Sequence, residues 1–224
     1  MTTAPKIALI SAVTAAIAPA RSALDELYPD AQVWNILDDR LLSDADDRGG
    51  LDDALRARMV RLIDHALAEG ADGVLLTCSL YGPVASGIRR DAPVLAPDEA
   101  AFREIATAGY GTVLVVASFD GARDDSVERL EATLHEAGSA TAVTGIAVPA
   151  AMAATKAQDP QALVAALSDA CAPHVAQVDA VFLAQYSLAP AARELTDILG
   201  IPVLSGPASS AVALRRLLSS GSTR

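Results

Sequence analysis

Asp72-Gly73-Val74-Leu75-Leu76-Thr77-Cys78 and Asp179-Ala180-Val181-Phe182-Leu183-Ala184-Gln185 superimpose without a gap at an offset of 107 (from 72 to 179). Each is an apolar run that opens on an aspartate and closes on a polar or reactive group. Other segments repeat in the same order. Ile7-Ala8-Leu9-Ile10-Ser11 matches Val113-Leu114-Val115-Val116-Ala117 at an offset of 106 (from 7 to 113), and Pro93-Val94-Leu95 matches Pro202-Val203-Leu204 at an offset of 109 (from 93 to 202). A nearly constant spacing means a duplicated unit. The key residue changes between the copies, since Cys78 corresponds to Gln185.

Strand-like apolar runs alternate with amphipathic segments along the whole chain. The pattern predicts strands at Lys6–Val13, Ala31–Leu37, Gly73–Cys78, Pro93–Ala96, Thr112–Ser118, Ala142–Val148, Ala180–Gln185 and Ile201–Leu204. Helices are expected over 20–27, from Leu51 to a stop at Gly70, from Pro97-Asp98-Glu99 to near Gly109, over 125–137, from Pro160 until Pro173 breaks it, over 191–199 and over 209–218. The acidic stretch from Asp38 to Gly50 reads as loop, and the tail 219–224 as frayed. Strands alternating with helices at this spacing imply an α/β fold of two pseudo-symmetric lobes, each a mostly parallel sheet flanked by helices, because right-handed crossovers put helices on both faces. The expected division is 1–97 joined by the C-terminal helix 208–224, against 98–207. Ligands of such sheets bind at the carboxyl ends of the strands, so the site is expected in a cleft between the lobes.

The chain has 224 residues, a hydrophobic fraction of 52% and a formal charge of −11, which gives no basic footprint for nucleic acid or an anionic membrane. The acidic clusters at Asp38-Asp39, Asp44-Ala45-Asp46-Asp47 and Asp52-Asp53 read as solvated loops and helix starts. No apolar stretch approaches the roughly 20 residues of a membrane span, and the opening residues lack a basic region followed by an apolar core and cleavage site. These features point to the cytoplasm. His65, His135 and His174 show no metal-ligand spacing, and no metal is expected. A glycine-rich phosphate loop is also missing from the sequence, which disfavours nucleotide enzymes.

The two cysteines differ in setting. Cys171 falls in a helical pattern and reads as a small buried residue, whereas Cys78 closes a strand where the chain leaves the core. Around it, small residues after each strand offer backbone N–H groups and hydroxyls that could cradle a carboxylate. The candidates are Ser11, Ser79, Leu80, Ser118 and Tyr186, each hydroxyl alternatively a helix cap or turn former, with Asn35 at the end of the second strand either touching substrate or satisfying a turn. Tyr81 reads as a cleft lid or a packing anchor. Lys156, placed in a turn, is the one cation to watch near the cleft or a surface lysine, and Arg89 and Arg90 read as surface cations.

A duplicated α/β chain with Leu75-Leu76-Thr77-Cys78-Ser79, Trp34-Asn35-Ile36-Leu37-Asp38, Val115-Val116-Ala117-Ser118-Phe119, Phe182-Leu183-Ala184-Gln185-Tyr186-Ser187 and Pro202-Val203-Leu204-Ser205-Gly206-Pro207 resembles the aspartate/glutamate racemase superfamily, which includes hydantoin racemases, maleate isomerase and arylmalonate decarboxylase. The resemblance covers nearly the whole chain. It implies a cofactor-independent enzyme of proton transfer beside a carboxylate, with Cys78 and the residue at position 185 as the catalytic pair and Phe119 among the substrate contacts. In the family's racemases one cysteine per lobe stands on each face of the substrate's α-carbon. Gln185 breaks that pattern, because an amide has no useful acid–base pKa. A single thiol can still protonate a carbanion after loss of carbon dioxide, as in the one-cysteine decarboxylases whose thiol sits in the other lobe, or add to a double bond. Three functions stay open: a single-thiol racemase or isomerase, a decarboxylase or other lyase of a malonate-like acid, and a non-catalytic binder of small carboxylates. The expected partner is a small carboxylate, and homo-oligomerisation is left open.

Overall fold

The computed structural model describes residues 4–221 and divides into two compact units, one formed by residues up to Ala100 together with those from Pro207 onward, the other by Ala101–Gly206. In chain order the elements are β1 (Lys6–Ser11), α1 (Ile17–Leu27), β2 (Gln32–Leu37), α2 (Leu41–Asp47), α3 (Asp53–Ala68), β3 (Gly73–Leu76), α4 (Gly82–Gly87), β4 (Val94–Leu95) and α5 (Glu99–Ala108). They continue with β5 (Thr112–Ala117), α6 (Asp120–Glu136), β6 (Ala142–Ala147), α7 (Pro149–Ala157), α8 (Pro160–Cys171), β7 (Ala180–Leu183), α9 (Ala192–Leu199), β8 (Val203–Ser205) and α10 (Gly206–Gly221). The first sheet has the order β2-β1-β3-β4 and the second β6-β5-β7-β8, all pairings parallel. The α/β class and the repeat are therefore both present.

The repeat extends to register. Leu9 pairs with Asn35 and Leu75 in the first sheet, as Val115 pairs with Gly145 and Phe182 in the second. The opening aspartates explain why both copies begin as they do. Asp72 accepts from the Lys6 amide at 2.7 Å, and Asp179 accepts from the Gly111 and Thr112 amides at 2.7 and 2.9 Å, so each carboxylate satisfies donors at the start of the neighbouring strand.

Period-two burial puts opposite sides of each sheet against different helices. Ala8, Ile10, Val74 and Leu76 pack with Leu41, Leu55, Met59 and Ile63 from α2 and α3. In the other unit, Leu114, Val116, Val181 and Leu183 face α7, α8 and α9, and Val113, Val115 and Phe182 face Phe102, Ile105 and Leu130. The C-terminal helix closes the first sheet. Gly73 on β3 lies so near it that a Cβ there would stand 3.2 Å from Leu214 Cδ2.

Several local expectations are corrected. The stretch 38–50 is not loop throughout, because α2 forms with Leu41 and Ala45 buried one helical turn apart and ends before Gly49 and Gly50, both at positive φ. Two further helices, α4 and α7, were not anticipated, so Lys156 lies in the last turn of α7 rather than in a turn between elements; it is exposed. Helix α6 begins at Asp120, five residues before the expected start. Helix α10 continues through Gly221, which leaves only 222–224 of the expected frayed tail, outside the described residues. Strands β3 and β7 end at Leu76 and Leu183, so Cys78 and Gln185 stand two residues beyond them.

Candidate active site

In the first unit, the chain leaves β3 through Thr77 and enters a short 3-10 turn, Ser79–Tyr81, with Cys78 as the residue that precedes it in extended conformation (φ −118°, ψ 118°). Cys78, Ser79 and Leu80 are all half-buried. The Tyr81 amide donates to the Cys78 carbonyl at 3.1 Å, whereas the amides of Ser79 and Leu80 open the turn, where N–H groups have no partner within it. Tyr81 is a packing anchor. It is wholly buried, its hydroxyl donates to the Leu41 carbonyl at 2.8 Å, and burial, followed by the nearby charge of Cys78, pushes its pKa up to about 12. Tyr81 thereby ties the turn after Cys78 to the start of α2. Arg58 fastens the same segment from α3 by donating to Asp38 and Asp44, each at 2.7 Å.

Ser11 and Asn35 come together at the ends of β1 and β2. Ser11 is fully buried, and its hydroxyl donates to Asn35 Oδ1 at 2.9 Å while accepting from the Thr77 hydroxyl at 3.0 Å. Thr77 carried no signal of its own in the sequence.

The second unit repeats the backbone with different side chains. Gln185 precedes the 3-10 turn Tyr186–Ala191 in the same extended conformation (φ −135°, ψ 139°), and the Leu188 amide donates to its carbonyl at 3.0 Å. Its side chain turns to β5, where the Ser118 backbone N–H donates to Gln185 Oε1 at 2.7 Å. A backbone N–H can only donate, so the amide oxygen is fixed on Ser118. Nε2 is left with two donors and no partner among the described residues. Ser118 is buried, Phe119 is 46% exposed at the start of α6, and Tyr186 is buried.

The other candidates separate from these strand ends. Cys171 is completely buried at the end of α8, and burial alone pushes its thiol up to about 11, so it is protonated and shielded at neutral pH. Arg90 pairs with Asp64 at 2.8 Å on the surface, and Arg89 is exposed. Among the described residues, no group of three or more His, Cys, Asp or Glu is arranged to hold a metal ion, and no helix is long and apolar enough to cross a membrane.

Residues 47–214 match the sequence model of the family described as Asp/Glu/Hydantoin racemase, three quarters of the chain. The chain belongs to the Asp/Glu/hydantoin racemase family. It is accordingly a racemase-like enzyme. Among solved structures, it is similar to allantoin racemase from Klebsiella pneumoniae at 18% identity and a TM-score of 0.71, covering 97% of this chain and 89% of that one. It is also similar to aspartate racemase from Picrophilus torridus (13% identity, TM-score 0.73, 96% and 94% covered). Unliganded arylmalonate decarboxylase gives 20% identity and a TM-score of 0.61 over 97% and 94%. At these identities the likeness is one of fold. No curated protein matches the sequence significantly.

Proposed function

We propose that this racemase-family enzyme performs cofactor-independent proton transfer at a carbon next to a carboxylate in a small acid, with Cys78 as its single active-site thiol. The observation that carries the reading is the pinned amide at the equivalent position of the other unit. Gln185 has its oxygen committed to Ser118, so what it offers is a hydrogen-bond donor and no proton acid or base. Cys78, half-buried at a strand end, supports the role of thiol; Cys171, sealed in the core, does not.

One thiol dictates a distinct outcome. As thiolate, Cys78 takes the proton from carbon, leaving the electron pair in an enediolate, and as thiol it returns a proton to the same face. Solvent hydrogen is then exchanged with retention of configuration. Racemisation would require a second acid on the opposite face. Donors from the amides of Ser79 and Leu80 and from Asn35 would stabilise the developing charge.

The pinned amide also favours a second reading. Decarboxylation of a malonate-like acid needs only one protonation at carbon: the carbon–carbon bond breaks, carbon dioxide leaves, and the electron pair is quenched by the Cys78 proton, which water then restores. Incubation with amino acids, hydantoins, maleate and substituted malonates in deuterated water separates the readings. Deuterium uptake without net reaction supports the first, and release of carbon dioxide with deuterium at the α-carbon supports the second. An enzyme that does neither, or that racemises freely, contradicts the single-thiol account. The partner is a small carboxylate. With a charge of −11, neither nucleic acid nor an anionic membrane enters the reading.

A further inference from the structure

We infer that Ser11 is a positioning residue that turns the Asn35 amide so that its Nδ2 group anchors a carboxylate oxygen of the substrate. The inference rests on the carboxylate reading above and specifies where in the first unit that group is held.

The direction of the hydrogen bonds follows from where Thr77 can donate. Its hydroxyl has two acceptors in reach, Ser11 Oγ at 3.0 Å and the Ile10 carbonyl at 3.5 Å, and the shorter contact is the stronger. Donation to Ser11 occupies the acceptor side of that hydroxyl, so the Ser11 proton goes to Asn35 Oδ1 at 2.9 Å. The reverse orientation would have Asn35 donate to Ser11, Ser11 to Thr77, and Thr77 to Ile10 across the long contact. With Oδ1 engaged, Asn35 presents Nδ2, which has no partner among the described residues and sits on a half-buried residue of β2. A group that can only donate selects an acceptor, and a carboxylate is the strongest acceptor a small acid offers.

The repeat shows that the fold does not require this chain of hydroxyls. By register, the second unit has Ala117 for Ser11, Ala184 for Thr77 and Gly145 for Asn35, and it builds the same parallel strands. There the space of an Asn35 side chain is filled instead by Arg123, whose Cγ would lie 2.8 Å from a Cβ on Gly145. Among the described residues, three buried or half-buried polar side chains linked in this way at the strand ends thus occur only in the unit that also carries Cys78.

The test follows the Asn35 side-chain amide by nitrogen-15 NMR during titration with malonate and measures the dissociation constant by calorimetry. The amide resonance should shift and saturate with the calorimetric curve. Asn35→Ala should weaken malonate about tenfold, as expected for a hydrogen bond to a charged group. Asn35→Asp, which keeps the acceptor for Ser11 but loses the donor, should weaken it further. Ser11→Ala should raise the constant about threefold to tenfold with the melting temperature within a few degrees, since Ala117 holds that place in the repeat. The double variant should bind no worse than Asn35→Ala, because Ser11 acts through Asn35. Saturable binding that leaves the Asn35 amide unmoved, multiplying effects of the two substitutions, or no saturable binding of malonate would overturn the inference. Turnover retained by Cys78→Ser would contradict the thiol reading and leave these binding results standing.

Discussion

The ends of β3 and β7 are the same backbone carrying opposite chemistry. Both strands run four residues from an aspartate, stop two residues before an extended residue, and pass into a 3-10 turn whose third amide closes back on that residue. One end then presents Thr77 and Cys78, beside a buried line of hydroxyls. The other presents Ala184 and Gln185, with the glutamine held by a backbone N–H. Packing needs explain what the two ends share, and they explain none of what differs. The repeat thus acts as an internal control, since a polar group found in one unit and replaced by alanine or glycine in the other is not there for the sheet.

The sharpest way to break the comparison is to make the first end as inert as the second. Cys78→Ser should reduce turnover at least about a hundredfold, the scale of a lost general acid or base, with little change in melting temperature because the swap is nearly isosteric. Activity within a few-fold of wild type would move the chemistry away from this thiol. The converse substitution sharpens the comparison from the other side. Gln185→Cys returns the family's second thiol, and chiral chromatography should detect racemisation of the native substrate or product, with some loss of native turnover as the Ser118 contact disappears. A folded variant that loses turnover and gains no racemisation would mean that positions 78 and 185 do not serve one α-carbon.

A smaller effect separates the units by pH. The fold holds the Cys171 proton to about 11 against an ordinary value of 9.0, and the Tyr81 proton to about 12 against 10.0. Because the native state keeps protons that the unfolded chain releases, each contribution is complete below the ordinary value and is lost as pH rises toward the native one. The melting temperature should therefore fall between pH 9 and 11 partly through Cys171, in the second unit, and between 10 and 12 partly through Tyr81, in the first. Cys171→Ala should flatten the lower window and Tyr81→Phe the upper. Unchanged slopes in both variants would assign the alkaline loss to other groups.

Much of the scaffold was legible because the relevant signal is periodic and local. Matching apolar runs at offsets of 106 and 107 became matching strand registers, and the position of Cys78 at a strand end followed from the run before it. Helix α2 was obscured by its aspartates, although Leu41 and Ala45 at helical spacing before Gly49-Gly50 carried the pattern. Helix α7 is mostly alanine, which leaves little amphipathic contrast, and Pro149 at its first position was its clearest mark. The line from Thr77 through Ser11 to Asn35 was not legible at all. Its members are separated by 66 and 24 residues, and only strand pairing shows that they meet. Gln185 marks the departure from a two-thiol site in the sequence itself, but which end of its amide is free depends on the Ser118 N–H, a contact across β5 and β7.

The account's central claim is that one thiol does the chemistry and that it is Cys78. Iodoacetamide titration near pH 8, with turnover and peptide mass mapping followed in the same samples, tests it directly. Inactivation should track alkylation of Cys78 in proportion while Cys171 stays unmodified. Full alkylation of Cys78 with turnover intact, or inactivation that follows Cys171, would contradict it.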